Sequence, residues 1–128
     1  VDFSDFAALK SFLLNKKIEM VVVGPETPLV EGIHDAIAND SATAKINVIG
    51  PKKAGALLEG SKEYSKQFML KHGIATAKHR SFNAENLEDG IAYLETQNAP
   101  YVLKADGLAA GKGVLILNDL MQAKEELS

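Results

Sequence analysis

Residues 105–113, ADGLAAGKG, bring together three glycines, three alanines, an aspartate and a lysine, and a second lysine, Lys104, stands directly before them. They join two apolar runs, YVLK and GVLIL, that can pair antiparallel. A plain hairpin closes with roughly two to five turn residues, so this connection is longer than closure requires. Glycines accept positive φ and let successive amides converge into an anion-binding nest. The alanines keep side chains out of the approach, and Lys112 adds a flexible point charge suited to phosphate oxygens. The chemistry these parts suit is the cradling of a polyphosphate. A solvated turn with no ligand has the same composition, so the residues alone leave both readings open.

Two commoner phosphate motifs do not fit. A Walker A loop needs Gly five positions before its Gly-Lys pair and Ser or Thr after it, where this chain has Asp106 and Gly113. The dinucleotide fingerprint G-x-G-x-x-G would need glycine where Ile116 stands. Lys104 adds weight to the phosphate reading. Strand alternation puts it with Val102 on one face and Tyr101 with Leu103 on the other. A lysine on a packed face either reaches out to solvent or meets an anion. Lys62, near the start of a helix, is a third candidate cation, since helix N-termini favour negative charge. Taken by itself, it reads as an ordinary surface lysine.

Around these residues the chain alternates strand and helix patterns. Ser4 or Asp5 can cap a first helix in which Phe6, Leu9 and Leu13 recur at helical spacing. IEMVVVG and INVIGP read as short buried parallel strands, each ended by Gly-Pro. Between them Pro28 suits a first helical turn, and Leu29, Ile33 and Ile37 form one apolar stripe. This order calls for a right-handed βαβ unit. KKAGALLEG is a short helical segment that Gly60 can end. Ser61 can cap the next helix, with Tyr64 and Phe68 on one face and Gly73 at its C′ position. ATAKHRSF then looks strand-like, Asn83 suits the cap of a helix carrying Leu87, Ile91 and Leu94, and Asp119 with Gln122 resembles a capping box.

The 128 residues, 46% hydrophobic and 24% charged, are long enough for one ordinary domain or two small lobes. A net charge of −3 gives no basic face for nucleic acid, so any phosphate binding is local and of small-molecule scale. Without cysteine there is no disulfide framework, thiolate zinc site or cysteine nucleophile, which fits a reducing cytoplasm. No run approaches the roughly twenty apolar residues of a membrane span, and no signal peptide is evident. The start lacks a methionine and the end falls inside an amphipathic helix pattern, so the chain reads as an internal piece of something longer.

VVVGPETPLVEG, IGPKKAGALLEGSKEYSKQFMLKHGIATA and KADGLAAGKGV resemble the phosphoribosylamine–glycine ligase family, also called glycinamide ribonucleotide synthetase, of the ATP-grasp superfamily. The resemblance runs the whole chain in order. It implies an α/β fold: a parallel βαβ, Rossmann-like pre-ATP-grasp segment, then a small α+β ATP-grasp lobe. Residues 1–60 would be part of a substrate-side domain, 61–73 a connecting helix, and 74–128 a first ATP-grasp lobe with its phosphate loop. The implied reaction joins glycine to 5-phosphoribosylamine at the expense of ATP, through a glycyl phosphate, in de novo purine synthesis. The resemblance implies ATP contacts at Lys62, Lys104, Gly107, Leu108, Ala109, Ala110, Gly111, Lys112 and Gly113, the loop acting as a lid that closes over the phosphates. It also implies that Gly24, Pro25, Glu26 and Pro28 border the phosphoribosylamine or product site, at the strand end where open α/β sheets place ligands.

The family's glycine-rich N-terminal segment and second ATP-grasp lobe have no counterpart in this sequence. Mg²⁺ or Mn²⁺ is implied as a cofactor, with its ligands expected outside this chain. Carboxylates are scattered, and His34, His72 and His79 are isolated in sequence. The expected partners are small molecules: ATP, glycine and phosphoribosylamine. Two alternatives stand beside this reading, another ATP-grasp carboxylate–amine ligase resembling biotin carboxylase and a nucleotide-binding module without turnover. The isolated chain is expected to be inactive.

Overall fold

A computed structural model describes residues 2–109 and 111–128 and divides the chain into two compact units, 1–65 and 66–128. In the first unit, α1 (Phe6–Asn15) is capped by Asp5, whose carboxylate accepts from the amides of Ala7 and Ala8 at 3.0 and 2.9 Å. Of the two caps the sequence offered, Asp5 is the one used. Then come β1 (Met20–Val22), α2 (Glu26–Glu31), α3 (Ile33–Asn39), β2 (Asn47–Ile49) and α4 (Lys53–Gly60). β1 and β2 pair in parallel, Val21 opposite Val48, as strand–helix–strand order requires.

Leu9 and Leu13 of α1 and Ile33 and Ile37 of α3 are the buried centre of this unit, with Val21, Val23 and Val48 packed against them. Apolar residues at positions i and i+4 on both helices face each other and the inner side of the strand pair. Thr43, 1% exposed, donates its hydroxyl to Ile37 O at 2.8 Å, so its burial leaves no hydroxyl unpaired. Lys10 reaches from α1 to Asp40 at 2.5 Å, and this contact holds the Asp40 carboxyl below the usual carboxylate range.

Two expectations need correction here. The strands are not buried on both faces: Val22 is 70% and Ile49 53% exposed, while Val21 and Val48 turn inward. The apolar stretches matched a buried strand, but α1 and α3 pack on one face only, and alternation points every second side chain away from them. Nor is the apolar stripe from Leu29 to Ile37 one helix. Gly32, at φ +103, ends α2 and starts α3, its amide closing onto Pro28 O and Leu29 O. The left-handed glycine redirects the chain, yet Ile33 and Ile37 still reach the core.

In the second unit, α5 (Lys62–Lys71), which begins in the first, ends in a Schellman motif. Ile74 N bonds to Met69 O and Gly73 N to Leu70 O, with Gly73 at φ +66, as its C′ position demands. Residues 75–82 were expected to be strand-like, and no strand is formed there among the described residues. Lys66 instead tethers this segment, donating to Thr76 Oγ1 at 2.6 Å and Ala77 O at 3.0 Å. β-branched and alternating residues make a strand only where a neighbour supplies the ladder. Asn83 caps as expected, but it opens a 3₁₀ turn (Ala84–Asn86) in a full capping box before α6 (Leu87–Glu95) begins.

β3 (Tyr101–Lys104) and β4 (Val114–Leu117) form the antiparallel pair, followed by α7 (Leu120–Leu127), whose cap Asp119 accepts from Gln122 N at 2.8 Å. α7 packs on α6 and on the hairpin, burying Ala123 and Leu94. Gly90 of α6 lets Phe82 and Leu127 approach: a β-carbon there would stand 3.1 Å from the Phe82 ring. The Arg80 guanidinium lies 5.4 Å from the Phe82 ring centre and 5.7 Å from that of Tyr93, within cation–π range of both.

Candidate functional site

The hairpin register decides what Lys104 does. Lys104 lies opposite Val114 and Val102 opposite Ile116, so these four share one face, while Tyr101, Leu103, Leu115 and Leu117 share the other. α7 packs against the hairpin, and the Lys104 face is the open one, Ile116 being 67% exposed. Lys104 is therefore a cation at the edge of an apolar, outward-facing bed rather than a lysine on a packed face.

The ladder continues one step past the strands, Ala105 N donating to Gly113 O at 2.8 Å, which closes the base of the loop. Inside it, Lys112 N donates to Ala109 O at 2.8 Å. Gly107 at φ +82 and Gly111 at φ +77 occupy the left-handed region, where side chains are strained. Gly113 is required for space instead: a β-carbon would meet that of Ala109 at 2.6 Å. Glycine and alanine thus fold the loop back on itself, leaving Lys112 and Leu108 exposed. Ala110, also assigned to the phosphate contacts, lies outside the described residues.

Lys62 is the first residue of α5, whose start is capped by Ser61, the hydroxyl accepting from Tyr64 N at 3.1 Å. Lys62 falls in the first unit, Lys104 and Lys112 in the second. Only the last two lie within one unit.

At the other candidate corner, Gly24 and Pro25 follow β1, Pro25 adopts the extended geometry of an N-cap, and Glu26 is the exposed first residue of α2. Pro28 sits in the same first turn, where its missing amide costs nothing. A β-carbon at Gly24 would find nothing within 4 Å, so no neighbour in the chain forces glycine there. Val23 N bonds to Ile49 O at 3.0 Å, which sets the second Gly-Pro corner, Gly50-Pro51, at the same end of the strand pair.

Sequence reasoning missed the contacts of α3. His34, expected to be isolated, donates from Nδ1 to Gly50 O at 2.7 Å; the carbonyl can only accept, so that nitrogen carries the proton. Asp35 accepts from Lys53 N at 2.7 Å, eighteen residues on. No local signal announces such a pair, since an acid in a first turn ordinarily serves its own helix. His72 lies against Phe68 with ring centres 4.4 Å apart and the planes tilted by 42°. Among the described residues no three His, Asp or Glu side chains cluster as metal ligands. No helix among them is long and apolar enough to cross a membrane.

Two family models divide the chain between them: the phosphoribosylglycinamide synthetase N domain over residues 1–59 and the ATP-grasp (A) domain of the same synthetase over residues 60–128. A phosphoribosylamine–glycine ligase of Salmonella typhi is 44% identical over 124 residues, 97% of this chain and 28% of that protein. One from Vibrio vulnificus is 45% identical over 123 residues, 96% of this chain and 27% of the relative. The crystal structure of a phosphoribosylamine–glycine ligase from Thermotoga maritima is 49% identical, with a TM-score of 0.55 over 62% of this chain and 20% of its own. This chain thus spans little more than a quarter of the length of these curated relatives. With both halves matched consecutively, the chain belongs to the phosphoribosylglycinamide synthetase family.

Proposed function

We propose that this chain is the part of a phosphoribosylamine–glycine ligase that joins the substrate-side domain to the first ATP-grasp lobe. Residues 1–60 serve the substrate side, 61–73 connect, and 74–128 serve the nucleotide. The observation that carries this reading is the order of the two family matches, N domain then ATP-grasp domain. The open hairpin face with Lys104 and the glycine loop at its end support it.

In the reaction, the glycine carboxylate attacks the γ-phosphorus of ATP, giving glycyl phosphate and releasing ADP. The amine nitrogen of 5-phosphoribosylamine then attacks the acyl carbon; phosphate leaves with the bonding electron pair, and the amine loses a proton. Neither step asks this chain for a nucleophile. Its task is to hold the phosphates and neutralise charge as it develops, which suits positioned cations and backbone amides. Lys62, Lys104 and Lys112 supply the cations, and residues 107–113 supply the amides and close over the triphosphate, excluding water. Gly24, Pro25, Glu26 and Pro28 border phosphoribosylamine, the Glu26 carboxylate being the polar contact; the open space at Gly24 fits a ligand's close approach. Divalent metal belongs to the rest of the enzyme, and the reading carries with it a cytoplasmic location.

Titration of the chain with ATP tests the nucleotide half. Replacing Lys62, Lys104 and Lys112 together by alanine is expected to weaken binding at least tenfold, the scale of losing even one charge-assisted contact of about 1.5–3 kcal/mol. Unchanged affinity in the triple variant would leave the phosphate assignment without support.

A further inference from the structure

The first unit holds its second Gly-Pro corner from both sides. Lys52, the N-cap residue of α4, makes no side-chain capping bond, and the helix is capped from elsewhere: the Asp35 carboxylate takes the Lys53 amide at 2.7 Å. One residue earlier on α3, His34 donates to the Gly50 carbonyl at 2.7 Å. The turn from Gly50 to Lys53 is thus pinned at its first carbonyl and its last amide by consecutive side chains. Close packing reinforces this. A β-carbon at Gly32 would lie 3.3 Å from Lys53 Cδ, and one at Gly50, where φ is +146, would lie 2.8 Å from Leu29 Cδ2. Leu29 and Gly32 belong to the same stretch that Glu26 opens. The two corners are therefore tied through α2 and α3, as well as by Val23 N to Ile49 O.

We infer that Asp35, assisted by His34, is a positioning residue for phosphoribosylamine: it fixes residues 50–53 as a second wall of the site that Glu26 borders. This rests on the substrate-side reading of the first corner. A side chain that only stabilised the fold would lower the apparent kcat with the folded fraction and leave the three KM values where they are. One that sets a wall of a single substrate's site changes that substrate's KM alone.

The test is steady-state kinetics of the full-length ligase carrying this segment, with ATP, glycine and phosphoribosylamine varied in turn. Asp35→Ala is expected to raise the KM for phosphoribosylamine about tenfold, the usual scale for losing a hydrogen bond to a charged group. The KM values for ATP and glycine and the kcat should stay within twofold of wild type. Asp35→Asn, whose amide oxygen can still accept from Lys53 N, should restore the phosphoribosylamine KM to within about threefold. His34→Val should raise it by a smaller factor than Asp35→Ala. Parallel changes in all three KM values, or none in any, overturn the inference. Should Asp35→Ala not fold, His34→Val decides alone, and an unchanged phosphoribosylamine KM there is fatal. Glu26→Ala, run alongside, separates the two ideas. If it leaves phosphoribosylamine binding intact, the first-corner reading fails. If it impairs binding while the α3 variants do not, only the positioning role fails.

Discussion

A β-carbon added at Gly60 would stand 2.8 Å from Val30 Cγ2 and 3.0 Å from Cγ1, whereas one at Gly55 would meet only Pro51 Cβ, at an ordinary 3.4 Å. Both glycines lie in α4, so helix propensity favours alanine at each, by up to about 1 kcal/mol within the helix and less at its end. At Gly60 the obstacle is a stiff β-branched side chain on a packed helix, and overpacking there costs about 1–3 kcal/mol, which outweighs the gain. Gly60→Ala should lower the melting temperature by a few degrees and Gly55→Ala should raise it slightly. Thermal unfolding followed by circular dichroism checks the pair; equal shifts in the same direction would mean that helix propensity, not contact with Val30, decides. The sequence offered Gly60 as a helix stop, and it is indeed the last residue of α4, but the contact that requires glycine lies thirty residues upstream.

The β3–β4 hairpin combines a four-pair ladder with a largely exposed connecting loop among the described residues. Four cross-strand pairs and the Ala105–Gly113 bond fix the base, while the described loop residues 105–109 and 111–113 are mostly exposed. Exposed loop backbone opens at lower free-energy cost than a paired strand ladder. Amides of the described loop residues should therefore exchange with solvent much faster than those of β3 and β4 in the nucleotide-free chain, and should slow when ATP is added. Mass-spectrometric hydrogen exchange makes this comparison, and strong protection of the loop before nucleotide is added would contradict a closing lid.

At the scale of the whole molecule, two compact units correspond closely to two family matches that run consecutively along the chain. Among the described residues neither unit offers a cluster of carboxylates for a divalent cation, and phosphoryl transfer from ATP depends on one. The isolated chain should accordingly release no ADP in response to glycine and phosphoribosylamine together, even where it binds ATP. A coupled ADP assay checks this; substrate-dependent release above the blank would mean that the chain contains the metal site.

What the sequence determined by itself is whatever a few neighbouring residues settle among themselves. The Asn83 and Asp119 caps, the Schellman end at Gly73 and the antiparallel closure around the glycine loop all depend on hydrogen bonds of short sequence range or on one glycine's backbone freedom. The long strings that resemble one ligase family were legible for the same reason, being contiguous. Tertiary structure alone decided which face of each strand turns inward, that Gly32 splits an apolar stripe into two helices, and that Asp35 caps a helix eighteen residues away. Those outcomes depend on which distant surfaces meet. A side chain's burial and its long-range partners are properties of packing, and residue order constrains packing only through the fold it produces.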